Sequence, residues 1–436
     1  MSEEMQTFLA EIEAHLDQDV VPFWPERAVD TEFGGYRTNF DSDGVPLPCP
    51  EKYLNTQCRF IWWFSTLAGR YPNDMRFSAI AKWGFDFLLR YFWDNENGGW
   101  YWKTLADGSP LDAAKIMYGQ SFAIYALSQY TNCVGDIRGI EYASRTFDLL
   151  QKHAADALHG GYLENLNSSW ERYTSDQGGV NRKGLDTHMH LMEAFTGLYG
   201  VTGDDIHRRK LLELIELIRE RMVNRAHGCG RNQFDAAWNP LPAIAIARTW
   251  NAERNGPGTS QSLDTTSYGH NVELSWLLHR AIDVAKFDAT PYLPLTRSLV
   301  DHAVRHGVDW EFGGVYRDGL PEGMAVVLEK EFWQNAEVLV GFIDAYQRFG
   351  EPRYLQAAKC VWGFVRDHMV APSGEWRTLM SRDGRTAIDA NLGNPWKAAY
   401  HTGRALTESV DRLRTLLGWD AALAGNQADS REKVKG

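Results

Sequence analysis

Three histidines in this chain stand in comparable surroundings. His190, His270 and His401 each fall near the start of an apolar stretch with helical spacing: Asp186-Thr187-His188-Met189-His190-Leu191-Met192-Glu193, Tyr268-Gly269-His270-Asn271-Val272-Glu273, and Trp396-Lys397-Ala398-Ala399-Tyr400-His401-Thr402-Gly403-Arg404. Three more such stretches open on Gln57-Cys58-Arg59-Phe60-Ile61-Trp62, Tyr118-Gly119-Gln120-Ser121-Phe122, and Lys330-Glu331-Phe332-Trp333-Gln334-Asn335-Ala336-Glu337. One histidine on an apolar face is usually a core residue. Three at equivalent positions of a repeat point to function instead. Two imidazoles and a guanidinium around one cavity suit proton transfer. Of His270 and His401, one removes a proton α to a carbonyl and the other returns it, while Arg59 stabilises the enediolate between them. General acid–base groups contribute about 10²–10⁴-fold each, and preorganised donors to the oxyanion add more.

Helical spacing sorts the partners, because residues three or four apart share a face. It pairs His190 with Glu193, His270 with Glu273, His401 with Arg404, and Trp333 with Glu337. Glu193 reads as a carboxylate orienting its histidine or capping the helix. Glu273 reads as the group that fixes the tautomer of His270. Trp333 and Trp396 serve equally well as core or as platforms for a sugar ring. Arg59 lies among Phe60, Ile61, Trp62 and Trp63, so it either meets an anionic intermediate or is held in a buried ion pair. His188 and His190 point to different sides, HExxH is absent, and no spacing asks for a metal. No GxGxxG, P-loop or nucleophile elbow appears, so neither nucleotide nor other cofactor is expected.

The elements that must hold these residues repeat. A Gly-rich, aromatic-ended turn recurs as Gly34-Gly35-Tyr36, Gly98-Gly99-Trp100, Gly160-Gly161-Tyr162, Gly228-Cys229-Gly230, Gly313-Gly314-Val315-Tyr316 and Gly374-Glu375-Trp376. From the second residue of each turn the steps are 64, 62, 68, 85 and 61 residues. Two helical stretches fit between turns: 57–71 with 76–94, 119–131 with 138–153, 187–200 with 207–225, 268–286 with 292–306, and 332–349 with 354–369. A last one spans 399–416, and an opening helix near 3–20 brings the total to about twelve. No alternating run is long enough for a major sheet. Six hairpins without a polar capping repeat predict closure into an all-α (α/α)6 barrel over residues 1–420, with 421–436 a disordered tail. The six chemistry-bearing segments then open the inner helices at the mouth.

Composition bounds the partners. The 436 residues carry a net charge of −12, which argues against nucleic acid or an anionic membrane. No window is long and apolar enough to span a bilayer. The start, Met1-Ser2-Glu3-Glu4, is acidic, so no signal peptide is expected. Five scattered cysteines without CxxC fit a reducing cytoplasm. The 17 Trp, 18 Tyr and 20 Phe suit a large core and also a site for sugar rings.

The chain resembles the N-acylglucosamine 2-epimerase superfamily, and within it the cellobiose and mannose 2-epimerase branch. Six matching segments in order carry the resemblance. The most specific are Thr187 to Ala194, Ser267 to Glu273, and Pro395-Trp396-Lys397 through Tyr400-His401. It implies an (α/α)6 barrel, no cofactor, and a ring-opened aldose deprotonated at C2 and reprotonated on the opposite face. Carried over by position, it makes His270 and His401 the acid/base pair and His190 the group for ring opening or substrate holding. Arg59 would contact the enediolate oxygens and Glu273 would orient His270. Tyr118, Trp333 and Trp396 would line the sugar site.

The departures fall in that pocket. The cellobiose-type branch usually has Asn at Asp186, Trp-Trp at Phe332-Trp333, and Cys-Pro at Ala398-Ala399. The 85-residue step holds about twenty extra residues within Pro242 to Asp264, including Arg248, Trp250 and Arg254, read as a lid at the mouth. Mannose 2-epimerases of the family are similar in having an enlarged loop here. D-Mannose and D-glucose are therefore the expected pair, with cellobiose or mannobiose next. An aldose–ketose isomerase would share the enediolate and return the proton to C1. A glycosidase would need two carboxylates from Asp186, Glu273 and Glu337, and would leave three histidines unexplained.

Overall fold

Helices whose opening turns are buried on every side must sit inside the fold. In the computed structural model, which describes residues 2–173, 182–241 and 265–418, six such helices form an inner ring. They are α3 (Leu54–Arg70), α5 (Met117–Val134), α7 (Leu185–Thr202), α9 (Tyr268–Ala285), α11 (Phe332–Phe349) and α13 (Ala399–Leu416). Each packs on the next, and α13 packs back on α3, so the ring closes. Around it lie α1 (Ser2–His15), α4 (Met75–Tyr91), α6 (Ile137–Leu149), α8 (Asp205–Leu217), α10 (Leu293–His302) and α12 (Pro352–Phe364), each against its inner partner, with α1 on α13. A π turn and α2 (Val21–Ala28) continue α1. The outer helices carry a single apolar stripe, as in α6, where Gly139, Ala143, Thr146 and Phe147 are the buried positions. The carboxylates of Asp74 and Asp136 cap α4 and α6 by accepting the N–H of Arg76 and Arg138, each at 3.1 Å. The fold is the expected (α/α)6 barrel.

The glycine turns join each outer helix to the next inner one. Gly160 and Gly161 have φ of +76° and +73°, and a Cβ on Gly161 would stand 2.7 Å from Trp238 and 2.8 Å from His188. Only glycine fits that close approach. Short antiparallel strands then link neighbouring units over the mouth. Glu51–Tyr53 pairs with Lys103–Leu105, Lys115–Ile116 with Asn165–Leu166, Arg182–Gly184 with Gln233–Asp235, Thr266–Ser267 with Asp318–Gly319, and Lys330–Glu331 with Leu379–Met380. The first and last units join through a bridge between Phe40 and Gly393.

A buried ion pair clasps five of the six units. Lys52, Lys115, Lys183, Lys330 and Lys397 each stand two residues before an inner helix. Their Nζ atoms bind Asp30, Asp94, Asp156, Asp309 and Glu375 at 2.5, 2.8, 2.8, 3.0 and 3.1 Å. Asp94 also accepts the backbone N–H of Glu96 and Asn97 at 2.9 and 3.0 Å, so one carboxylate shapes the turn and anchors the lysine. In the fourth unit Thr266 and Asn224 replace the charged pair. Thr266 donates to Gly230 O at 3.0 Å, and Asn224 accepts from Ala226 N at 3.2 Å.

Candidate active site

The six inner helices start in register, so equal offsets do equal work. The fourth residue of each turns back to the glycine turn. Gln57, Gln120, His188, Asn271 and Asn335 accept the N–H of Tyr36, Trp100, Tyr162, Gly230 and Val315 at 2.7–3.1 Å. In the sixth unit Thr402 instead binds Glu375 Oε1, which accepts the N–H of Trp376. His188 is therefore a structural residue. Its Nδ1–H faces Gly184 O at 2.8 Å while Nε2 accepts from Tyr162, and burial pushes the imidazole down to about 4.

The sixth residues, Arg59, Phe122, His190, Glu273, Glu337 and Arg404, form a layer of mutual contacts around the axis. Arg59 stacks on Phe122 at 4.6 Å and Phe122 lies 4.9 Å from His190. His190 Nδ1 is 3.0 Å from Glu193 Oε2, and Arg404 donates to Glu193, Glu273 and Glu337. Above this layer, the second and third residues of the helices supply Tyr118, Asp186, His270, Trp333 and His401.

These groups enclose a cavity of about 470 Å³. All nine positions singled out from the sequence border it: His190, His270, His401, Arg59, Tyr118, Asp186, Glu273, Trp333 and Trp396. The indole of Trp333 is flanked by both imidazoles, with ring centres 4.6 Å from His270 and 5.9 Å from His401. Arg59 is held by Trp396 O at 2.5 Å and by the Tyr118 hydroxyl at 2.8 Å, and its Nε has no partner among the described residues. Trp396 packs against the buried Trp102, with ring centres 6.1 Å apart. Arg248, Trp250 and Arg254 lie outside the described residues, as does the 421–436 tail.

The partnering differs from expectation at two histidines. Glu273 makes no hydrogen bond to His270; its Oε1 accepts from Arg404 at 2.7 Å. His401 is not paired with Arg404. Its Nδ1 meets Glu337 Oε1 of the adjacent helix at 2.6 Å, and Arg404 donates to the same oxygen at 2.6 Å. Spacing along one helix misses this because the carboxylate comes from the neighbouring inner helix, α11, packed against α13. Only the His190–Glu193 pair is made as the spacing predicts.

The electrostatics follow from burial around one guanidinium. Burial pushes the Glu193 carboxyl up, but Arg404, His190 and Tyr400 outweigh it and hold the group at about 2. Burial lifts Glu337 to about 7 against the pull of Arg404. Burial and the adjacent Glu337 raise Glu273 well above the carboxylate range. Burial also pushes His190 down, opposed by Glu193. Among the described residues, the donor atoms of Glu273, Glu337 and His401 lie within 4.8 Å of one another, and the cation bonded to both carboxylates is Arg404. The charged lining residues Arg317, Glu331 and Asp389 were not among the sequence candidates. They sit on or beside the short mouth strands, and an acidic or basic residue beside a turn gives no periodic signal.

The N-acylglucosamine 2-epimerase family model matches residues 34–405. The chain is 30% identical to cellobiose 2-epimerase of Bacteroides fragilis over 406 residues, 91% of this chain and 97% of that one. It is 25% identical to D-mannose isomerase of Marinomonas mediterranea, over 94% of this chain and 98% of that one. The solved cellobiose 2-epimerase of Spirochaeta thermophila superposes with a TM-score of 0.83 at 28% identity, covering 95% of this chain and 98% of that one. A closed helix ring with histidines, an arginine and aromatic rings around its mouth agrees with these matches: the chain belongs to the N-acylglucosamine 2-epimerase family and is an enzyme of the isomerase class that acts on sugars.

Proposed function

We propose that the protein interconverts free aldoses epimeric at C2, D-mannose and D-glucose first, by proton transfer through an enediolate. The observation that carries this reading is the placement of His270 and His401 at the third positions of α9 and α13, on either side of Trp333. Both imidazoles border one cavity, so a ring-opened sugar bound there has two groups able to exchange its C2 proton, one as base and the other as acid. Arg59, positioned by Tyr118 and Trp396 O, supplies charge to the enediolate oxygens. His190, backed by Glu193, serves ring opening, and Asp186, Trp333 and Trp396 hold the sugar. The enlarged 242–264 segment of the sequence supports a monosaccharide.

A disaccharide, cellobiose or mannobiose, is the second reading, favoured by the 30% identity to the cellobiose 2-epimerase of Bacteroides fragilis. Incubation with D-mannose in D2O, followed by NMR, separates the outcomes. Glucose deuterated at C2 is expected. Early fructose would place the proton return at C1, and conversion of cellobiose alone would favour the disaccharide.

A further inference from the structure

Three carboxylates converge on one guanidinium beneath the cavity, and they are not equally provided for. Glu193 accepts from Tyr400 at 2.8 and 2.9 Å besides Arg404, and Glu337 accepts from Trp276 at 3.2 Å and faces His401. Glu273 has Arg404 alone, through Oε1. Its Oε2 is buried and meets no hydrogen-bond partner among the described residues, although Glu273 borders the cavity. An ionised oxygen so placed would lack the donor that burial demands. Its neighbours oppose ionisation as well: Glu337 on α11 and Glu193 on α7 are both carboxylates, and Arg404 on α13 already serves all three.

We propose that Glu273 works as a neutral carboxylic acid whose Oε2–H donates a hydrogen bond to the substrate oxygen that becomes the enediolate oxyanion, alongside Arg59. The proposal rests on the enediolate reading above and makes Glu273 a catalytic residue rather than the orienting partner of His270. The raised affinity of Glu273 for its proton, caused by burial and by Glu337, agrees with the geometry. A carboxylic acid kept neutral by its surroundings is an effective oxyanion donor. The proton stays on Glu273 throughout, and only the C2 proton moves, between carbon and the imidazoles.

Infrared difference spectra of the full chain at about pH 9, where Glu337, lifted to about 7, has ionised, test the proton directly. Glu273→Gln should remove a protonated-carboxyl C=O stretch that the wild type shows and that Glu193→Gln and Glu337→Gln retain. In turnover, Glu273→Gln keeps an N–H donor and should lose about tenfold in kcat, whereas Glu273→Met should lose about 10²–10³-fold, both with KM little changed. Absence of the band from the wild type, its loss in Glu337→Gln alone, or Gln as slow as Met would overturn the proposal. Should Glu273→Met fail to fold, the band and the Gln variant decide. A wild type that turns over no sugar would sink the reaction assigned above, and the band would then decide the protonation state by itself.

Discussion

His401 Nδ1 lies 2.6 Å from Glu337 Oε1, and the two residues belong to adjacent inner helices, α13 and α11. The carboxylate fixes the imidazole and leaves Nε2 as the nitrogen that serves the cavity. Burial lifts Glu337 to about 7, so the carboxylate that holds His401 changes charge around neutrality.

Activity should therefore fall on the acid side of about pH 7, because protonating Glu337 removes the anion that supports His401 as base. Glu337→Gln should lower kcat by about 10²-fold or more and flatten that acid limb, with KM little changed. A pH profile of kcat for both proteins checks it. An unchanged acid limb in the variant would assign the titration elsewhere.

His270→Asn and His401→Asn should each lower kcat by about 10²–10⁴-fold. The double variant should be little slower than the worse single one, since the two act as a unit. In D2O, each single variant should lose C2 exchange with one epimer more than with the other. Equal loss with both sugars would mean that a single histidine serves both faces.

Arg404→Met leaves three buried carboxylates without their cation and should destabilise the fold by about 3–5 kcal/mol. Without the guanidinium, burial raises the folded-state pKa of these groups above the ordinary 4.5. The folded state then binds protons more tightly than the unfolded one, so stability is fullest below 4.5 and is lost as pH rises. Urea midpoints of the variant should be higher at pH 5 than at pH 8, and the opposite order would contradict the charge assignment.

Lys115→Met should also cost about 3–5 kcal/mol, because Asp94 stays buried without its counter-ion. The same change at the exposed Lys82, which pairs with Asp86 on one helix, should cost under about 1 kcal/mol. Denaturant melts of the two variants make the comparison.

The helix hairpins and the cavity positions were legible because both are periodic. Glycine turns mark the units, and a histidine or arginine in the first turns of an apolar helix stands out from its neighbours. The split between His188 and His190 was also legible, since residues two apart on a helix point to different sides. The lysine clasps were not. Lys52 or Lys115 in sequence is one more polar residue beside a turn, and its acid lies 21 or 22 residues earlier across a glycine turn. The Glu337–His401 contact spans 64 residues and exists only because α11 packs against α13. Arg317 and Asp389 reach the cavity from hairpins too short to announce themselves.

Closure also orders events in time. The helix that completes the ring, α13, is the last of the described helices to be synthesised, and it carries both His401 and Arg404. A nascent chain lacking it has Glu193, Glu273 and Glu337 without their shared cation, and α1 and α3 without the surface they both cover. An open solenoid folds repeat by repeat, but here the charge balance of the centre waits for the C-terminal turns. The catalytic centre is thus complete only once α13 has docked against α1, α3 and α11.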